Sequence, residues 1–211
     1  MERAQGEPAK LYRYERVLWS LDYQVAGVDE VGRGCLAGPV VASAVLLPRF
    51  YPLDEVADSK VLSAQKRNRL YQMILDKALA VSIGCAPAQE VDDINVYQAT
   101  RKAMSRAVEG LAVQPDHLLV DAIALHEVGI PVWSMVRGDA RSGSIAAASI
   151  VAKVTRDGMM ETYHEMYPQY GFARHKGYAT PQHLQALREF GPCPLHRRSF
   201  RPVWEAPSLG D

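Results

Sequence analysis

The spacing of apolar and polar positions along the chain predicts strands and helices in a definite order. Short apolar runs bounded by glycine, proline or charged residues predict strands, and apolar residues at every third or fourth position predict helices. The predicted strands are 24–29, 40–47, 81–86, 117–120 and 131–136. The predicted helices are 8–19, 63–80, 95–111, 143–167 and 181–190. Successive strands followed by helix–strand alternation favour an α/β fold with a mixed sheet flanked by helices.

The segment that joins the first two predicted strands carries the most distinctive chemistry. The first strand ends in Asp29 and Glu30, and a turn containing Gly32, Arg33 and Gly34 follows. Carboxylates at the end of a buried strand are costly to leave unpaired, since desolvating an anion costs several kcal/mol. A cation must therefore compensate them, and two candidates remain open: the arginine itself or a bound metal ion.

The amino-acid composition limits the classes of protein to which the chain can belong. Of the 211 residues 48% are apolar, which is enough for one sizeable domain core. Lysine plus arginine equals aspartate plus glutamate, 24 of each, and this neutrality is weak evidence against a nucleic-acid protein. Basic residues nevertheless concentrate at 174–176, 196–201 and 60–69. Such stretches either bind a polyanion locally or form a solvated surface.

Cysteine usage and hydropathy give an expectation for the compartment. Cys35, Cys85 and Cys193 are odd in number and widely spaced, so they predict neither a disulfide framework nor a CxxC metal site. No apolar run approaches the roughly 20 residues that span a bilayer. The first residues contain no apolar stretch typical of a signal peptide. We therefore expect a cytoplasmic protein without membrane association.

Acidic residues recur where predicted strands end. Asp121 closes the fourth strand and Asp139 lies just beyond the fifth, so they join Asp29 and Glu30 at one edge if the strands are neighbours. Four carboxylates without histidine or cysteine partners suit Mg²⁺ or Mn²⁺. Two such ions would serve phosphodiester cleavage. Adjacent strand residues point to opposite faces, however, so the glycine turn would have to break that alternation for both Asp29 and Glu30 to face the site.

Simpler interpretations of the same residues stay open at this stage. An Asp-Glu pair at a strand end is often a solvated turn, and Arg33 could form a structural ion pair instead of meeting a phosphate. A nucleotide-dependent enzyme that uses the glycine loop is a rival, although a strand rather than a helix follows that loop. Cys35 is interpreted as a small buried residue and not as a nucleophile.

The same residues belong to a set of motifs that resembles one known family. In chain order the motifs are AGVDEVGRG at 26–34, LAGPVV at 36–41, DSK at 58–60, INVYQAT at 94–100, VDA at 120–122, RGDARSGSIAAASIVAKVTRD at 137–157, YGFARHKGYAT at 170–180 and GPCPLHRRSF at 191–200. This series resembles ribonuclease HII, the type 2 ribonuclease H family of bacteria. The resemblance runs from about residue 24 to residue 203.

The resemblance implies a fold, a reaction and a cellular context. It implies a ribonuclease H-like fold, with a five-stranded mixed sheet and a helical C-terminal extension, in one domain over 1–211 with its core at about 22–167 and the extension at about 168–211. It implies hydrolysis of RNA in RNA–DNA hybrids, and incision 5′ to single ribonucleotides in duplex DNA, by two Mg²⁺ or Mn²⁺ ions and with 5′-phosphate products. The nucleic acid is the expected partner, and the enzyme is expected to be a cytoplasmic monomer.

The resemblance also assigns roles residue by residue. The implied metal ligands and catalytic residues are Asp29, Glu30, Asp121 and Asp139, the four acids at the predicted strand ends. The implied reader of the ribose 2′-hydroxyl is Gly32-Arg33-Gly34, and Tyr178 is implied to stack on the sugar that follows the ribonucleotide. Positions near the substrate backbone are Lys60, Ser149 and Lys153.

Two places depart from the commonest family pattern. Cys35 stands where proline is frequent, and Ala122-Ile123 replace a frequent Gly-Asn pair after the third acid. Neither change removes a predicted ligand. A catalytically silent hybrid-binding protein on the same fold would be marked by a lost acid, and none is lost here.

Overall fold

The computed structural model describes residues 11–50 and 62–207, and within these ranges the chain forms one five-stranded sheet with helices on both faces. The strands are β1 (Val25–Val31), β2 (Val40–Leu46), β3 (Ala80–Ala86), β4 (His117–Asp121) and β5 (Val132–Met135). The helices are α1 (Arg13–Ser20), α2 (Ala64–Lys77), α3 (Ala88–Glu109), α4 (Gly143–Met166), α5 (Phe172–His175), α6 (Pro181–Phe190) and α7 (Arg201–Trp204). Single 3₁₀ turns occupy Gly138–Ala140 and Pro168–Tyr170.

The sheet has the order β3-β2-β1-β4-β5 and mixes both strand directions. The pairs β1–β2 and β2–β3 are antiparallel, whereas β1–β4 and β4–β5 are parallel. The mixed five-stranded sheet predicted from the sequence is therefore confirmed. Since β1, β4 and β5 run in the same direction, their carboxyl ends meet at one edge of the sheet, which is where ligands bind in open α/β sheets.

Close backbone approach sets how the two longest helices pack on the sheet. An added Cβ at Gly27 of β1 would lie 2.0 Å from the backbone of Ser144, at the start of α4. On the other face, a Cβ at Gly84 of β3 would lie 1.9 Å from the carbonyl oxygen of Ala103 in α3. Both glycines are needed because no side chain fits between strand and helix. The first turns of α4, rich in alanine, consequently sit directly on β1.

The C-terminal part is helical, as the resemblance implies, and it packs on the chain that links β1 to β2. Leu36 N–H donates to the Gly177 carbonyl at 2.8 Å, and Gly38 N–H donates to the Leu195 carbonyl at 2.9 Å. A short bridge pairs Ala37 with His196. The proposed boundary of the extension near residue 167 lies beside the end of α4; the division of the chain at that point stays a prediction.

One predicted helix is preceded by helical residues that the sequence pattern missed, and the structure gives the reason. The pattern predicted a start at Asn95, but α3 begins at Ala88. Asn95 interrupts α3 with a left-handed conformation (φ 66°), and its side-chain oxygen accepts from the N–H groups of Tyr97 and Gln98 at 3.0 and 3.1 Å. It therefore caps the second half of the helix from within, as asparagine does at a helix start.

Other predicted boundaries agree within a few residues. Ser63 caps α2 by accepting from the Lys66 N–H at 3.3 Å, as expected. The first strand extends two residues further than predicted, to Val31. The first three residues of the predicted helix at 8–19 lie outside the described ranges. No helix in the described part of the chain has the length and apolar character needed to cross a membrane.

Candidate functional site

The four predicted acids lie at the carboxyl ends of the three parallel strands. Asp29 and Glu30 are among the last three residues of β1, and Asp121 is the final residue of β4. The parallel register pairs Val28 with Val120, so Asp121 follows beside Asp29. Asp139 lies in the 3₁₀ turn that follows β5 and is 5% exposed. The topology thus brings all four acids to one edge of the sheet.

Hydrogen bonds connect these chain ends. The Asp121 Oδ1 atom accepts from the Gly138 N–H at 2.7 Å, which holds the turn that carries Asp139. Asp29 Oδ1 accepts from the Glu30 N–H at 2.8 Å. In residues 11–50 and 62–207, no group of three or more His, Cys, Asp or Glu side chains has an arrangement that already forms a metal-binding site. The acids therefore share an edge without forming a closed cage.

The strand alternation at the acidic pair is preserved, so the glycine turn does not bring both side chains to the same face of the sheet. The β1–β2 ladder continues in register through Asp29↔Ser43 and Glu30↔Ala42. Ser43 donates its hydroxyl to the Ala148 carbonyl of α4, which places Asp29 on the α4 face. Glu30 starts from the opposite face, and its longer side chain still brings its carboxyl into electrostatic range of Asp121.

Burial and mutual repulsion make the acidic group energetically costly. Burial raises the pKa of Asp29 well above its usual value, and the charges of Glu30 and Asp121 raise it further against a hydrogen bond from Ser149. Burial also raises the pKa of Glu30, although Arg33 opposes the shift. Each shift means that the ionised form is disfavoured in the folded chain. A divalent cation at this edge would remove that penalty.

Arg33 compensates the acidic pair in part. Its Nη1 atom lies 3.0 Å from Glu30 Oε1, so the ion pair considered from the sequence is present. The second oxygen, Oε2, is buried without a hydrogen-bond partner. A buried carboxylate oxygen in that state is available to a cation, and oxygen ligands of this kind fit Mg²⁺ or Mn²⁺. The donor set therefore fits a hard divalent ion.

The two glycines of the turn have different reasons to be glycine. Gly32 has φ +93°, and a Cβ there would lie 2.3 Å from Arg156 Nε and 2.8 Å from the Pro39 carbonyl oxygen. A Cβ at Gly34 would meet no atom within 4 Å. The chain itself thus requires glycine at 32, whereas position 34 borders open space beside the acids. Only Gly34 is free to admit an external molecule.

The remaining predicted substrate contacts differ in their exposure and in their partners. Tyr178 is 42% exposed, and burial of its hydroxyl, with Cys35 nearby, raises the pKa of that hydroxyl. Ser149 hydrogen-bonds to Asp29, so it lies within the acidic group. Lys153 Nζ is paired with Asp157 at 2.7 Å on α4. Lys60 lies outside the described residues.

The basic C-terminal segment contains a buried arginine, to which neither of the two interpretations of the segment, polyanion binding or a solvated surface, applies. Arg197 is 0% exposed. It donates to the Arg33 carbonyl at 2.8 Å and to the Gly38 carbonyl at 2.9 Å. Lys176, another residue of the basic stretches, pairs with Glu161 at 2.8 Å. Arg197 therefore stabilises the glycine turn from the interior of the protein. Because it is buried there, it cannot contact a phosphate of a bound nucleic acid.

Arg156 is a second buried residue that the sequence did not single out. Its guanidinium is 0% exposed and donates to the carbonyls of Ala37, Pro39 and Lys176 at 3.0, 2.9 and 2.8 Å. It thus ties the β1–β2 link to the chain just before Tyr178. The residue falls inside the motif at 137–157, but a charged residue on a helix gives no sequence signal of burial.

The two departures from the family pattern are accommodated. Cys35 is buried, and burial raises the pKa of its thiol, which supports its interpretation as a neutral packing residue. Its N–H donates to the Gly32 carbonyl at 3.3 Å, a bond that proline could not make. Ala122 adopts φ +54°, a conformation that favours glycine, while Ile123 is buried in the α3-side core.

Comparison with known proteins gives a consistent relationship. A sequence profile of the family described as Ribonuclease HII matches residues 26–204. The chain is 54% identical over 194 residues to a protein named Ribonuclease HII from Lactobacillus johnsonii, covering 92% of this chain and 77% of that one. Its structure is similar to that of the ribonuclease H2 from Pyrococcus horikoshii OT3, with a TM-score of 0.77, 26% identity, and coverage of 86% and 96%. The structure of Bst-RNase HIII in complex with Mn²⁺ shares the fold at a TM-score of 0.66 and 16% identity, with coverage of 96% and 72%.

Proposed function

The chain belongs to the ribonuclease HII family of endoribonucleases, and from this membership we propose that it cleaves the RNA strand of RNA–DNA hybrids and incises duplex DNA 5′ to a single embedded ribonucleotide. The observation that carries the proposal is the buried acidic group at the sheet edge, beside a turn whose Gly34 borders open space. Together they support the proposal of a cation site next to a place for a sugar–phosphate backbone.

Asp29, Glu30, Asp121 and Asp139 are the proposed ligands of two Mg²⁺ or Mn²⁺ ions. The buried, unpartnered Glu30 Oε2 and the raised pKa of Asp29 support this assignment. Bound there, the ions would lower the pKa of a water molecule and offset charge on the leaving oxygen. Asp121 also holds the Asp139 turn through Gly138, so it contributes position as well as charge.

Gly34, Arg33 and Tyr178 are the proposed readers of the ribonucleotide. Without a Cβ at position 34, the backbone N–H and C=O groups can approach a 2′-hydroxyl, which donates and accepts hydrogen bonds. The guanidinium of Arg33 can hold the adjacent phosphate. The exposed ring of Tyr178 would pack on the following sugar and favour deoxyribose.

The central test is direct. Duplex DNA with one ribonucleotide is incubated with the protein, with and without Mg²⁺, and the cut is mapped at nucleotide resolution. We expect one metal-dependent cut on the 5′ side of the ribonucleotide and none in the matched all-deoxyribose duplex. Cleavage elsewhere, or of the all-deoxyribose control, would refute the proposed specificity.

The role of Tyr178 has its own test. Tyr178→Ala should lower kcat/KM for the single-ribonucleotide duplex more than for a continuous RNA–DNA hybrid, because most positions of the hybrid have no ribose-to-deoxyribose junction. The measured quantity is the ratio of the two kcat/KM values in wild type and variant. An unchanged ratio would show that Tyr178 does not read the junction.

Binding should depend on salt despite the neutral net charge. Exposed cations such as Arg198 would contact phosphates, and each lost contact should reduce the log–log salt slope by about 0.9 for B-form DNA. Arg197 lies in the same basic stretch but is buried, so it is not among these proposed contacts. We further propose that the enzyme acts as a cytoplasmic monomer. That one chain contributes all four acids supports the monomeric state. Sedimentation of the free enzyme at its working concentration measures the oligomeric state and tests this proposal.

A further inference from the structure

Three histidines and a cysteine form a buried polar cluster in the C-terminal part, away from the four acids. His175, His183, His196 and Cys193 are all at most 7% exposed. The rings of His175 and His183 stack with centroids 4.4 Å apart, and His183 Nε2 lies 3.0 Å from His196 Nε2. Nothing in the reaction proposed above uses these side chains.

The partners of His183 and His196 fix where each proton lies. His183 Nδ1 is 2.9 Å from the Tyr178 carbonyl oxygen, which can only accept, so Nδ1 carries the proton. In the neutral ring, His183 Nε2 is then an acceptor and His196 Nε2 must donate to it. His196 Nδ1 is left as an acceptor, and it faces the backbone N–H of Cys193 at 3.0 Å and its thiol at 3.2 Å.

The partners of His175 fix its tautomer in the same way. Its Nε2 atom lies 2.7 Å from the Tyr170 carbonyl oxygen and therefore donates. Its Nδ1 atom accepts from the Gly177 N–H at 3.2 Å. Both ring nitrogens of all three histidines are thus satisfied in the neutral state, and no lone pair is left for a metal ion. Burial accordingly lowers the pKa of His183 to about 4 and that of His196 to about 3.

The chain of bonds ends on the backbone of Tyr178. His183 holds the Tyr178 carbonyl, His175 accepts from the preceding amide, and the Tyr178 N–H donates to the His175 carbonyl at 3.0 Å. The backbone on both sides of the exposed ring is therefore attached to buried imidazoles. A loop held in this way presents its side chain in one orientation.

We infer that His183, with its tautomer set by His196 and Cys193, is a positioning residue that orients Tyr178 for recognition of the ribose-to-deoxyribose junction. The inference rests on the junction-reading role proposed for Tyr178. His196 acts indirectly, through His183. Without the His196 Nε2–H donor, His183 can carry its proton on Nε2 instead of Nδ1. The unprotonated Nδ1 of His183 and the Tyr178 carbonyl oxygen, both acceptors, would then face each other.

A spectroscopic experiment on the wild-type enzyme tests the proton positions. Long-range ¹H–¹⁵N correlation of the imidazoles at neutral pH should give the Nδ1–H tautomer for His183 and the Nε2–H tautomer for His196 and His175. The tautomer of His183 should become mixed in His196→Leu and stay unchanged in His126→Ala, whose side chain is exposed. An Nε2–H tautomer for His183 in the wild type would overturn the inference without reference to activity.

A kinetic experiment tests the positioning itself. His183→Leu removes one of two donors to the Tyr178 carbonyl and leaves the Thr180 N–H, which donates at 2.8 Å. We expect it to lower the ratio of kcat/KM on the single-ribonucleotide duplex to that on the continuous hybrid about fivefold, the size of one hydrogen bond. His183→Asn keeps an N–H donor at the Nδ1 position and should retain the ratio within about twofold. His126→Ala is the matched control and should leave both values unchanged.

The outcomes separate the two proposals. If Tyr178→Ala changes the ratio but His183→Leu does not, the positioning inference is overturned and the role of Tyr178 stands. If neither variant changes the ratio, the role of Tyr178 is refuted first and the inference falls with it. Equal losses on both substrates in His183→Leu and His183→Asn would indicate a merely structural histidine and would also overturn the inference.

Discussion

The acidic group at the sheet edge and the histidine chain beneath Tyr178 are both buried polar clusters, yet they balance their polar atoms in opposite ways. Glu30 retains a buried oxygen without a hydrogen-bond partner, and Asp29 is held among like charges. In the histidine chain both nitrogens of His183 and His196 have partners within the fold. The acidic group therefore has a carboxylate oxygen that the described residues leave without a hydrogen-bond partner, whereas the polar atoms of these two histidines are all paired.

This difference is the one expected between a site that binds a ligand and a buried network that positions a side chain. A buried polar group without a partner costs free energy, so it persists where a ligand repays the cost. A fully satisfied network instead makes the surrounding backbone rigid. Variants in the two clusters should therefore differ in sign for stability and in kind for activity.

The largest expected effect comes from removing a charge from the acidic group. Asp29→Asn should lower metal-dependent turnover about 10²–10³-fold, since charge stabilisation by the metal is worth several kcal/mol. The metal-free variant should unfold at a higher temperature than wild type, because repulsion with Glu30 and Asp121 is relieved. Asp139→Asn should lower turnover similarly.

Turnover with Mg²⁺ and thermal unfolding in a chelator measure the two effects. Asp76→Asn, at an exposed position of α2, is the matched control and should change neither. Near-normal cleavage by Asp29→Asn would remove this residue from the catalytic set.

The pH dependence of stability should have opposite signs in the two clusters. The pKa values of His183 and His196 are lowered to about 4 and about 3, so their stabilising contribution is complete above about 6.5 and is lost as the pH falls toward those values. Each such histidine lowers the free energy of unfolding by about 1.4 kcal/mol for every unit by which the pH falls within that window. Arg198 is the positive charge that faces the pair, and His175 would add a second one if acid protonated it.

For Asp29 the folded pKa is raised, so its stabilising contribution is complete below the usual value and is lost as the pH rises through the folded value. The advantage of metal-free Asp29→Asn over wild type should therefore shrink as the solution is acidified. His183→Asn should instead show a shallower loss of stability in acid than wild type. Chemical denaturation from pH 7 to 4 measures both slopes, and equal slopes in all three proteins would contradict the comparison.

The two glycines beside the acids allow a matched pair of substitutions. Gly32→Ala should destabilise the fold by about 2–3 kcal/mol, because its Cβ would overlap Arg156 and the backbone conformation is left-handed. Gly34→Ala should change stability by less than about 0.5 kcal/mol, since its Cβ meets open space. The same change should lower kcat/KM at least about tenfold by displacing the substrate. Full activity in Gly34→Ala would show that no substrate approaches this turn.

The smallest expected effect concerns the loop after Asp121. Ala122 has φ +54°, where glycine is less strained, and Ala122→Gly should stabilise the fold by about 0.5–1 kcal/mol after the entropy cost of glycine. Ala124→Gly, two residues further on, is the control, since position 124 is not among the positive-φ residues and no relief of strain is expected there. Denaturant midpoints compare the two variants. A loss of stability in Ala122→Gly would mean that the strain at this position is negligible.

Much of the fold and the acidic site could be predicted from the chain alone. The strands that carry Asp29 and Asp121 have a regular apolar pattern, and parallel strands must end at the same edge, so the convergence of the acids follows from local periodicity. The first part of α3, before Asn95, was missed for a local reason: Asn95 carries a true helix-start signal, and the helix that starts there is preceded by another across a kink. The roles of the predicted substrate contacts remain predictions.

Sequence by itself determined the element order, the position of the acids and the family to which the chain belongs, because these depend on residue type and spacing. Only the tertiary structure decided that Arg197 is buried under the glycine turn, that Gly32 and Gly34 serve different purposes, and that His183 meets His196. Those facts depend on contacts between residues far apart in the chain. Burial and hydrogen-bond partners at such distances are set by packing, and no local pattern of side chains encodes them.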